Sequence, residues 1–546
     1  MAFTLNIRSL FLCGLTSCSI TMFATTDNET NILNHNWQEL KSRHLRLLPV
    51  PKRINFTASP IVISGKGAQP IAIVLKQDTE RGRIAAAEIT SRIAELAPGV
   101  KVPVGSVAPQ AAYAIIIDNI NSQLPAAPEG AKNCEQTYSL TPAENGITLA
   151  GQGETGMLYA AVTLRWLIER NGDEVVLYPA TVYDWPDFTT RALPAPGQHT
   201  MPCYNFDYPS DPQKAFEKMK PMINYIFRMK GNCLMHTNTR WHKFSPYTAQ
   251  AAFDSKELAA TKLISDYARQ RGITSFNYGK VSLGEAWSDA NRPETKNMLY
   301  YKTHGEYHSW ARHDLHRKKA EQMAQFCKDS GNTAFYIHAV DGGSIDNPEM
   351  WNDRDKLTKE KYGNDRVSAD ADMFNIYIDA FKQAGVNAWL VVYPYTGVYL
   401  NEDAGLKAIG LSDTPEQRAY VRKAIDKNKA WMQAINKRIP PNVPVCLRES
   451  KQDMMFDFMK QFPGRPMFIY YEVTNPGWDA CPLLPPEVAT FVTAYGAKRK
   501  NDILWCNMYG GGENIAVESI FGAISEFAWN TNFPGAHQLD RGNKEA

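Results

Sequence analysis

The sequence predicts an α/β protein in which a (β/α)8 TIM barrel follows a small α/β domain. A chain of 546 residues is too long for one ordinary core, since single cores stop growing at roughly 250–300 residues. From Thr190 onwards, short apolar segments alternate with helical stretches, as they do in parallel βαβ units. Eight such units can be counted, and eight evenly spaced strands favour a closed barrel over an open doubly wound sheet.

The eight predicted barrel strands are short and mostly apolar, and helices separate them. Several of these helices stop at a glycine shortly before the next strand, as at Gly231, Gly272, Gly331 and Gly385, which is typical of a tight αβ turn. The predicted strands are Thr190–Ala195, Asn232–Thr237, Ser275–Tyr278, Ala334–Val340, Ala388–Tyr393, Val443–Leu447, Met467–Glu472 and Ile503–Asn507.

The residues before the barrel predict a smaller α/β domain. Ile61–Ser64 and Ile71–Leu75 have the apolar pattern of strands, and Arg81–Leu96 carries apolar residues at helical spacing. Two short strands around Glu144 predict a hairpin, and the proline-containing segment Tyr183–Phe188 predicts a connector. The predicted domains are an export signal over 1–24, the α/β domain over 45–182, the barrel over 188–532 and a tail over 533–546.

Composition and charge exclude several classes of function. The chain has 59 basic and 57 acidic residues and a formal net charge of +2, so it shows no basic surface for nucleic acid or an anionic membrane. The seven cysteines after the export signal are scattered and form no CxxC pair, which predicts mostly buried free thiols. The sequence therefore predicts a neutral or small polar substrate, with no cofactor and no metal.

The N-terminal residues predict export from the cytoplasm. Arg8 supplies a positive charge, and the apolar stretch around Ser9–Leu15 is too short to span a bilayer. Leu15–Cys18 resembles a bacterial lipobox, in which the cysteine is lipidated, and cleavage after Ala24 is the alternative. The expected location is periplasmic, outer-membrane lipoprotein or extracellular, with membrane contact only through that lipid anchor.

The residues that follow the predicted strands carry the candidate chemistry, because the active site of such a barrel lies at its C-terminal mouth. Carboxylates, aromatic rings and neutral polar groups at one mouth suit a sugar substrate. Asp341 follows strand 4 and precedes two glycines, and it is the first predicted catalytic carboxylate. The alternative interpretation is that Asp341 only organises an Asp-Gly turn. Glu472 at the end of strand 7 is the second predicted catalytic carboxylate, with Glu449 as its competitor. The predicted substrate-binding residues are Arg191, His199, His236, His338, Tyr393, Tyr395, Glu449 and Asn507.

Two histidine-containing segments have simpler interpretations. His338 precedes Asp341 by three residues, so the two side chains face opposite ways unless the strand ends between them. A core histidine is therefore an equally good interpretation of His338. The segment His236–His242 has no carboxylate or thiolate in zinc spacing, so no metal is assigned to it.

The first half of the chain resembles the glycoside hydrolase family 20 hexosaminidases. Gly156–Leu167 matches the last helix of the α/β domain that precedes their barrels, and Asp184–Arg191 matches the segment that leads into strand 1. The resemblance implies that Arg191 binds hydroxyls of the non-reducing sugar and that His199 ends that strand. The family's strand 4 carries an adjacent Asp-Glu pair, whereas here Gly342 follows Asp341. The resemblance therefore implies a relative that diverges in the barrel.

Two classes of function remain open from the sequence. The first is an exo-acting glycosidase on N-acetylated sugars, with Asp341 as the acid or acetamide-orienting group and Glu472 as its partner; a barrel-type sialidase is its variant. The second is a lipid-anchored glycan-binding protein that has lost catalysis. Two carboxylates facing each other at roughly 5–10 Å across the mouth would favour the enzyme.

Overall fold

The computed structural model describes most of the chain between Glu29 and Asn530. The described residues are 29–56, 59–110, 112–118, 124–129, 131, 134–192, 211–235, 255–280, 283–284, 299–302, 305–338, 351, 354–392, 400–408, 410–448, 452–473, 503–508, 525–526 and 528–530. The chain divides into two compact units, which are Met1–Asp187 together with Glu526–Ala546, and Phe188–Ser525.

The N-terminal unit contains two sheets and three helices in its described part. A mixed seven-stranded sheet has the order β1-β10-β6-β7-β5-β3-β4, and a three-stranded sheet has the order β2-β9-β8. The elements are helix α1 over 29–42, β1 Arg53–Asn55, β2 Ile61–Ser64, β3 Ile71–Leu75, α2 Glu80–Leu96, β4 Val104–Gly105, β5 Tyr113–Asp118, β6 Tyr138–Ala143, β7 Gly146–Gly151, α3 Glu154–Trp166, β8 Ile168–Asn171, β9 Glu174–Leu177 and β10 Thr181–Asp184.

Local sequence explains the two helices that cover the larger sheet. The Thr79 hydroxyl accepts the Gly82 N–H at 3.0 Å and caps α2, which satisfies one of the free donors at a helix start. Helix α3 begins against β6, where a Cβ atom on Gly156 would overlap the Thr137 carbonyl oxygen. Glycine at position 156 is therefore required by the close approach of two backbones.

A buried polar cluster joins the end of β10 to the C-terminal segment within this unit. The Asp184 carboxylate accepts the Tyr138 hydroxyl at 2.6 Å and the Trp529 indole N–H at 2.9 Å. The Lys52 ammonium donates to the Trp529 carbonyl at 2.8 Å and to the Asn530 side chain at 2.6 Å. The segment from Glu526, which the sequence places in the barrel, is thus part of the N-terminal unit in the structure.

The second unit contains a closed eight-stranded barrel. All neighbouring strands pair in parallel, and β21 pairs with β11 to close the circle. The predicted fold class, a (β/α)8 barrel behind a small α/β domain, is therefore confirmed. The barrel strands are β11 Thr190–Ala192, β12 Cys233–Met235, β13 Thr274–Lys280, β17 Ala334–His338, β18 Asn387–Val391, β19 Val445–Arg448, β20 Met467–Val473 and β21 Ile503–Met508.

Helices of the described part connect these strands on the outside of the barrel. Gly272, Gly331 and Gly385 have φ values of 72°, 76° and 73° and end three of the predicted helices as expected. The expectation for Gly231 is wrong, because Lys230 takes the left-handed conformation there, with φ 55°. The helices are α4 Pro212–Arg228, α5 Ser255–Gln270, α6 His313–Ser330, α7 Lys356–Tyr362, α8 Arg366–Gln383, α9 Glu402–Ala408, α10 Pro415–Arg438 and α11 Gln452–Gln461.

Several elements lie outside the regular alternation and were not predicted. A three-stranded antiparallel sheet follows β13 and consists of β14 Leu283–Gly284, β15 Leu299–Lys302 and β16 Gly305–His308. Helices α7 and α9 are short insertions after β17 and β18. Helix α1 occupies a segment that the sequence suggests is only a polar leader. No helix in the described part of the chain is both long and apolar enough to cross a membrane.

Candidate active site

The candidate site is the C-terminal mouth of the barrel, since parallel strands direct their carboxyl ends to one face. Strand β17 ends at His338, β20 at Val473 and β21 at Met508. Asp341 lies outside the described residues, so the relative directions of the His338 and Asp341 side chains stay a prediction.

Four aromatic rings fill the barrel interior below this mouth. Phe276 of β13, Trp389 of β18 and Phe468 of β20 meet with ring centroids 4.9 to 6.5 Å apart. Tyr336 of β17 packs against Phe468 at 5.1 Å, and its hydroxyl lies 3.8 Å from the Cys446 sulfur. Phe276, Trp389 and Phe468 come from the alternate strands β13, β18 and β20, as in the layers of other barrels, and Tyr336 comes from β17, between β13 and β18. Any substrate pocket must lie above this aromatic layer.

Three predicted site residues lie on strands whose backbone is described. Glu472 of β20 is the register partner of Asn507 on β21, and His338 of β17 is the register partner of Val391 on β18. Glu472 is four residues after Phe468, and His338 is two residues after Tyr336. Glu472, Asn507 and His338 thus lie toward the C-terminal ends of the described parts of β20, β21 and β17, and their roles in a sugar site stay predictions.

The structure places the Arg191 side chain toward the opposite end of the strands. Arg191 is 1% exposed, and its guanidinium donates to the Phe188 carbonyl at 2.6 Å and to the Lys230 carbonyl at 2.8 and 2.9 Å. Both carbonyls precede strands, β11 and β12 respectively. These hydrogen bonds tie the first strand to the turn before the second. The sugar contact that the resemblance implies for Arg191 stays a prediction.

The Asn232 side chain strengthens the same junction. Its Oδ1 accepts the Arg191 backbone N–H at 2.7 Å, and its Nδ2 donates to the Thr189 carbonyl at 2.8 Å. The amide therefore mimics a strand backbone next to β11. The remaining predicted site residues lie outside the described part of the chain: Asp341, His199, His236, Tyr393, Tyr395 and Glu449.

The described cysteines and acids form no metal site. No group of three or more His, Cys, Asp or Glu residues within the described ranges could hold a metal ion. Cys134, Cys233, Cys327 and Cys446 are free, and the last three are buried. Burial raises the pKa of the Cys233 thiol to about 12. This cysteine is therefore a packed, protonated thiol rather than a nucleophile.

Comparison with known proteins connects this architecture to carbohydrate-active enzymes. The family model for glycosyl hydrolase family 20, domain 2, matches residues 44–185. The N-terminal domain therefore resembles domain 2 of family 20. No curated protein matches the chain at a significant level.

Solved structures resemble the family 20-like chain in fold. CpGH84B is 13% identical with a TM-score of 0.56, over 91% of this chain and 75% of its own. A GH20 exo β-N-acetylglucosaminidase from Vibrio harveyi, solved with N-acetylglucosamine, is 13% identical with a TM-score of 0.55, over 88% and 73%. The β-N-acetylhexosaminidase from Bacteroides fragilis NCTC 9343 is 12% identical with a TM-score of 0.52, over 87% and 90%. At these identities the likeness shows the fold alone.

The aromatic layer inside the barrel was not predicted from the sequence. Tyr336 and Trp389 sit at the centres of the strands AFYIH and NAWLV. They are register partners, and each precedes the strand's last residue by two positions. Side chains alternate between the two faces of a strand. Counting back from the strand ends in steps of two residues would therefore have placed both residues on the inner face.

Proposed function

We propose that this protein is an exo-acting glycoside hydrolase that removes N-acetylated sugars from glycans, in the manner of a β-N-acetylhexosaminidase. The observation that carries the proposal is the order of the domains: a family 20 domain 2 over residues 44–185 precedes a closed parallel barrel. The likeness in fold to enzymes that act on N-acetylglucosamine and N-acetylhexosamine supports the same substrate class.

The proposed chemistry uses two carboxylates on facing strands. Asp341 follows β17 and would protonate the glycosidic oxygen or hold the acetamide group of the substrate. Glu472 on β20 would be its partner across the mouth. The ring contact between Tyr336 and Phe468, at 5.1 Å, supports this pairing because inner-face residues of β17 and β20 already meet lower in the barrel. Glycosidases place their two carboxyl groups roughly 5 to 9.5 Å apart.

The aromatic layer would form the apolar bottom of the proposed pocket and exclude water from it. Trp389 and Tyr336 are 6% and 5% exposed, so little water reaches the barrel interior below the mouth. Exclusion of water strengthens the electrostatic interactions of an acid with a developing positive charge. An apolar floor also suits the C–H face of a pyranose ring, which packs on aromatic surfaces.

Steady-state kinetics on aryl glycosides tests the proposal. We expect turnover of nitrophenyl N-acetyl-β-glucosaminide or N-acetyl-β-galactosaminide and none of a sialoside. Asp341→Asn should lower kcat at least about 10²-fold, within the range of one acid-base group. An unchanged melting temperature is the control for folding. Near-wild-type turnover by a folded Asp341→Asn protein would refute the role of Asp341, and cleavage of the sialoside would favour a barrel-type sialidase instead.

A glycan-binding protein without catalysis is the second candidate. The observation that favours it is Gly342, which stands where the resemblance implies a catalytic glutamate after Asp341. This candidate predicts saturable binding of an N-acetylated oligosaccharide in calorimetry with no turnover of any aryl glycoside. Turnover that depends on Asp341 or Glu472 would exclude it.

We also propose export, with residues 1–24 as the signal and Cys18 as the lipidation site when the lipobox is used. Glycans of a cell surface or of the surroundings are reached only by an exported enzyme. The proposed location is periplasmic, extracellular or the outer membrane through the lipid. The N-terminal segment lies outside the described residues, so fractionation of cells tests this proposal.

A further inference from the structure

One turn of helix near the C-terminus presents three side chains to the rest of the N-terminal unit. The Asn530 N–H donates to the Glu526 carbonyl at 2.7 Å, so Glu526, Trp529 and Asn530 lie on one side of the turn. Nδ2 of Asn530 also donates to Oε1 of Glu526 at 2.6 Å, which fixes these two side chains against each other. The three residues are at most 3% exposed. We call residues 526 and 528–530 the C-terminal clasp.

The two polar side chains of the C-terminal clasp bind the backbone of Val50. The Val50 N–H donates to Oε2 of Glu526 at 2.7 Å, and the Val50 carbonyl accepts Nδ2 of Asn530 at 2.6 Å. Val50 is fully buried, and buried backbone groups need hydrogen-bond partners. The clasp supplies a partner to each of the two groups, much as a neighbouring strand does in a sheet.

The Trp529 ring is the apolar anchor of the C-terminal clasp. Its centroid lies 5.4 Å from that of Tyr159 in an edge-to-face contact and 6.4 Å from that of Tyr138. Its indole N–H donates to Asp184 at 2.9 Å. Trp529 and Asp184 are both fully buried. A buried tryptophan with a directed hydrogen bond is a typical anchor of a peptide in a binding groove.

The Lys52 ammonium holds the clasp next to the point where the chain leaves the N-terminal unit. It lies 2.8 Å from the Trp529 carbonyl, 2.6 Å from Oδ1 of Asn530 and 3.2 Å from Oδ2 of Asp187. The Asp187 N–H donates to the same Trp529 carbonyl at 3.0 Å. The chain leaves this unit after Asp187 and returns to it at Glu526. One buried cation therefore joins the exit of the chain to its return.

We propose that the C-terminal clasp is a built-in peptide ligand, which the N-terminal unit binds in a groove specific for the pattern Glu-x-x-Trp-Asn. Anchors at positions i, i+3 and i+4 of one helical turn are typical of a helix bound in a groove. Strands β6 and β10, which carry two of the groove residues, pair with each other, so their sheet does not need the clasp for its backbone hydrogen bonds. The inference is independent of the proposed glycosidase activity. The groove consists of Val50, Lys52, Tyr138, Tyr159 and Asp184.

The N-terminal unit offers a matched control for the C-terminal clasp. Nδ2 of Asn36 on α1 donates to the Pro51 carbonyl at 2.8 Å and to the Lys52 carbonyl at 3.2 Å. Asn36 is 2% exposed, and Asn530 is fully buried. Leucine at either position removes a buried amide that binds the backbone of residues 50–52, but only Asn530→Leu changes the clasp. The two variants therefore separate a general loss of stability from a loss of the ligand.

The first measurement is native-state hydrogen exchange of the wild-type full chain, read at single amides and corrected for intrinsic rates. The amides of Val50 and Asp187 donate to the clasp, whereas those of Lys52 and Trp185 donate to Asp184 in the groove. A ligand can leave while its groove stays folded. We therefore expect Val50 and Asp187 to exchange at one shared rate, at least about 10-fold faster than Lys52 and Trp185. One rate for all four amides would show a continuous core and overturn the proposal.

The second measurement compares the two full-chain variants by the same method. Asn530→Leu should speed exchange of the Asp187 amide at least about 10-fold relative to that of Trp185. Asn36→Leu should leave the ratio of these two rates within about 2-fold of the wild type. An equal change of the ratio in both variants, or none in Asn530→Leu, would overturn the proposal. The wild-type measurement decides the question where Asn530→Leu does not fold.

The third measurement supplies the ligand as a separate peptide with the sequence of residues 523–533. A tethered segment acts at an effective concentration of about 1 mM, so peptide at about 1 mM competes once the tethered clasp is weakened. It should slow exchange of the Asp187 amide in Asn530→Leu at least about 5-fold and leave the wild type unchanged. The same peptide with Trp529→Ala should have no effect. No slowing by the first peptide, or equal slowing by both, would overturn the proposal.

Discussion

Acid should destabilise the barrel unit through a single buried histidine, His316 on α6. The ring is 1% exposed. Its Nε2 lies 3.1 Å from the Ser309 carbonyl, and its Nδ1 lies 3.3 Å from the Tyr377 hydroxyl. A carbonyl only accepts, so Nε2 carries the proton and Nδ1 accepts from Tyr377. Burial lowers the pKa of His316 to about 3, against the opposing effect of the hydrogen bond to the Ser309 carbonyl, and the nearby charges of Lys319, His313 and Asp314 contribute less.

The sign and size of this loss of stability follow from proton binding by His316 in the folded and unfolded states. The unfolded histidine has a pKa of 6.5, so between that pH and about 3 the unfolded chain binds a proton that the folded chain does not. Stability is therefore complete above the unfolded pKa and falls as the pH drops. From pH 7 to pH 5 the loss is about 2 kcal/mol, or about 3 °C in melting temperature for a unit of this size.

Calorimetric melting of the full chain at pH 7 and pH 5 measures this loss. His316→Gln keeps an N–H for the Ser309 carbonyl and removes the titrating ring. The melting temperature of the wild type should therefore fall about 3 °C more than that of the variant over the same pH range. Other titrating groups cancel in this difference. His313→Gln is the control, because His313 lies on the same helix with a side chain that is 29% exposed. An equal pH dependence in the wild type and His316→Gln would refute the reasoning.

Three further changes test other contacts. Arg191→Met removes three hydrogen bonds to carbonyls and should lower the free energy of unfolding by about 2 kcal/mol, measured as a lower melting temperature. A raised KM at an unchanged melting temperature would indicate a sugar contact instead. Trp529→Leu removes a fully buried indole that donates to Asp184 and should destabilise the N-terminal unit by about 3 kcal/mol in thermal unfolding. Cys18→Ala should release the protein from membranes in cell fractionation, and unchanged fractionation would favour cleavage after Ala24.

The sequence predicts most of the regular elements because their patterns are local. Ile71–Leu75 is a fully buried strand, and an uninterrupted apolar run of that length is typical of a buried strand. The barrel strands agree with the prediction to within a few residues for the same reason. Their closure into a ring follows from counting eight βαβ units, since each crossover has the same hand.

The missed features depend on contacts between residues far apart in the sequence. The segment around Trp529 follows the last barrel strand, but its indole donates to Asp184, which lies 345 positions earlier. No local sequence pattern predicts such a partner. The prediction for the turn before β12 was wrong for a related reason. Lys230 takes the left-handed conformation that was expected of Gly231, and the two hydrogen bonds from Arg191 to its carbonyl offset the roughly 1 kcal/mol that a residue with a Cβ atom loses there.

Residue type and strand position together do not determine what an arginine binds. Arg191 follows the family 20 pattern in sequence and lies on β11. A side chain with five donors can reach toward either end of its strand, and the nearest accepting carbonyls decide the outcome. In this chain those carbonyls belong to Phe188 and Lys230, below the strand. A divergent barrel can therefore retain the arginine for folding even where its contact with a sugar has been lost, and the Arg191→Met experiment separates these two roles.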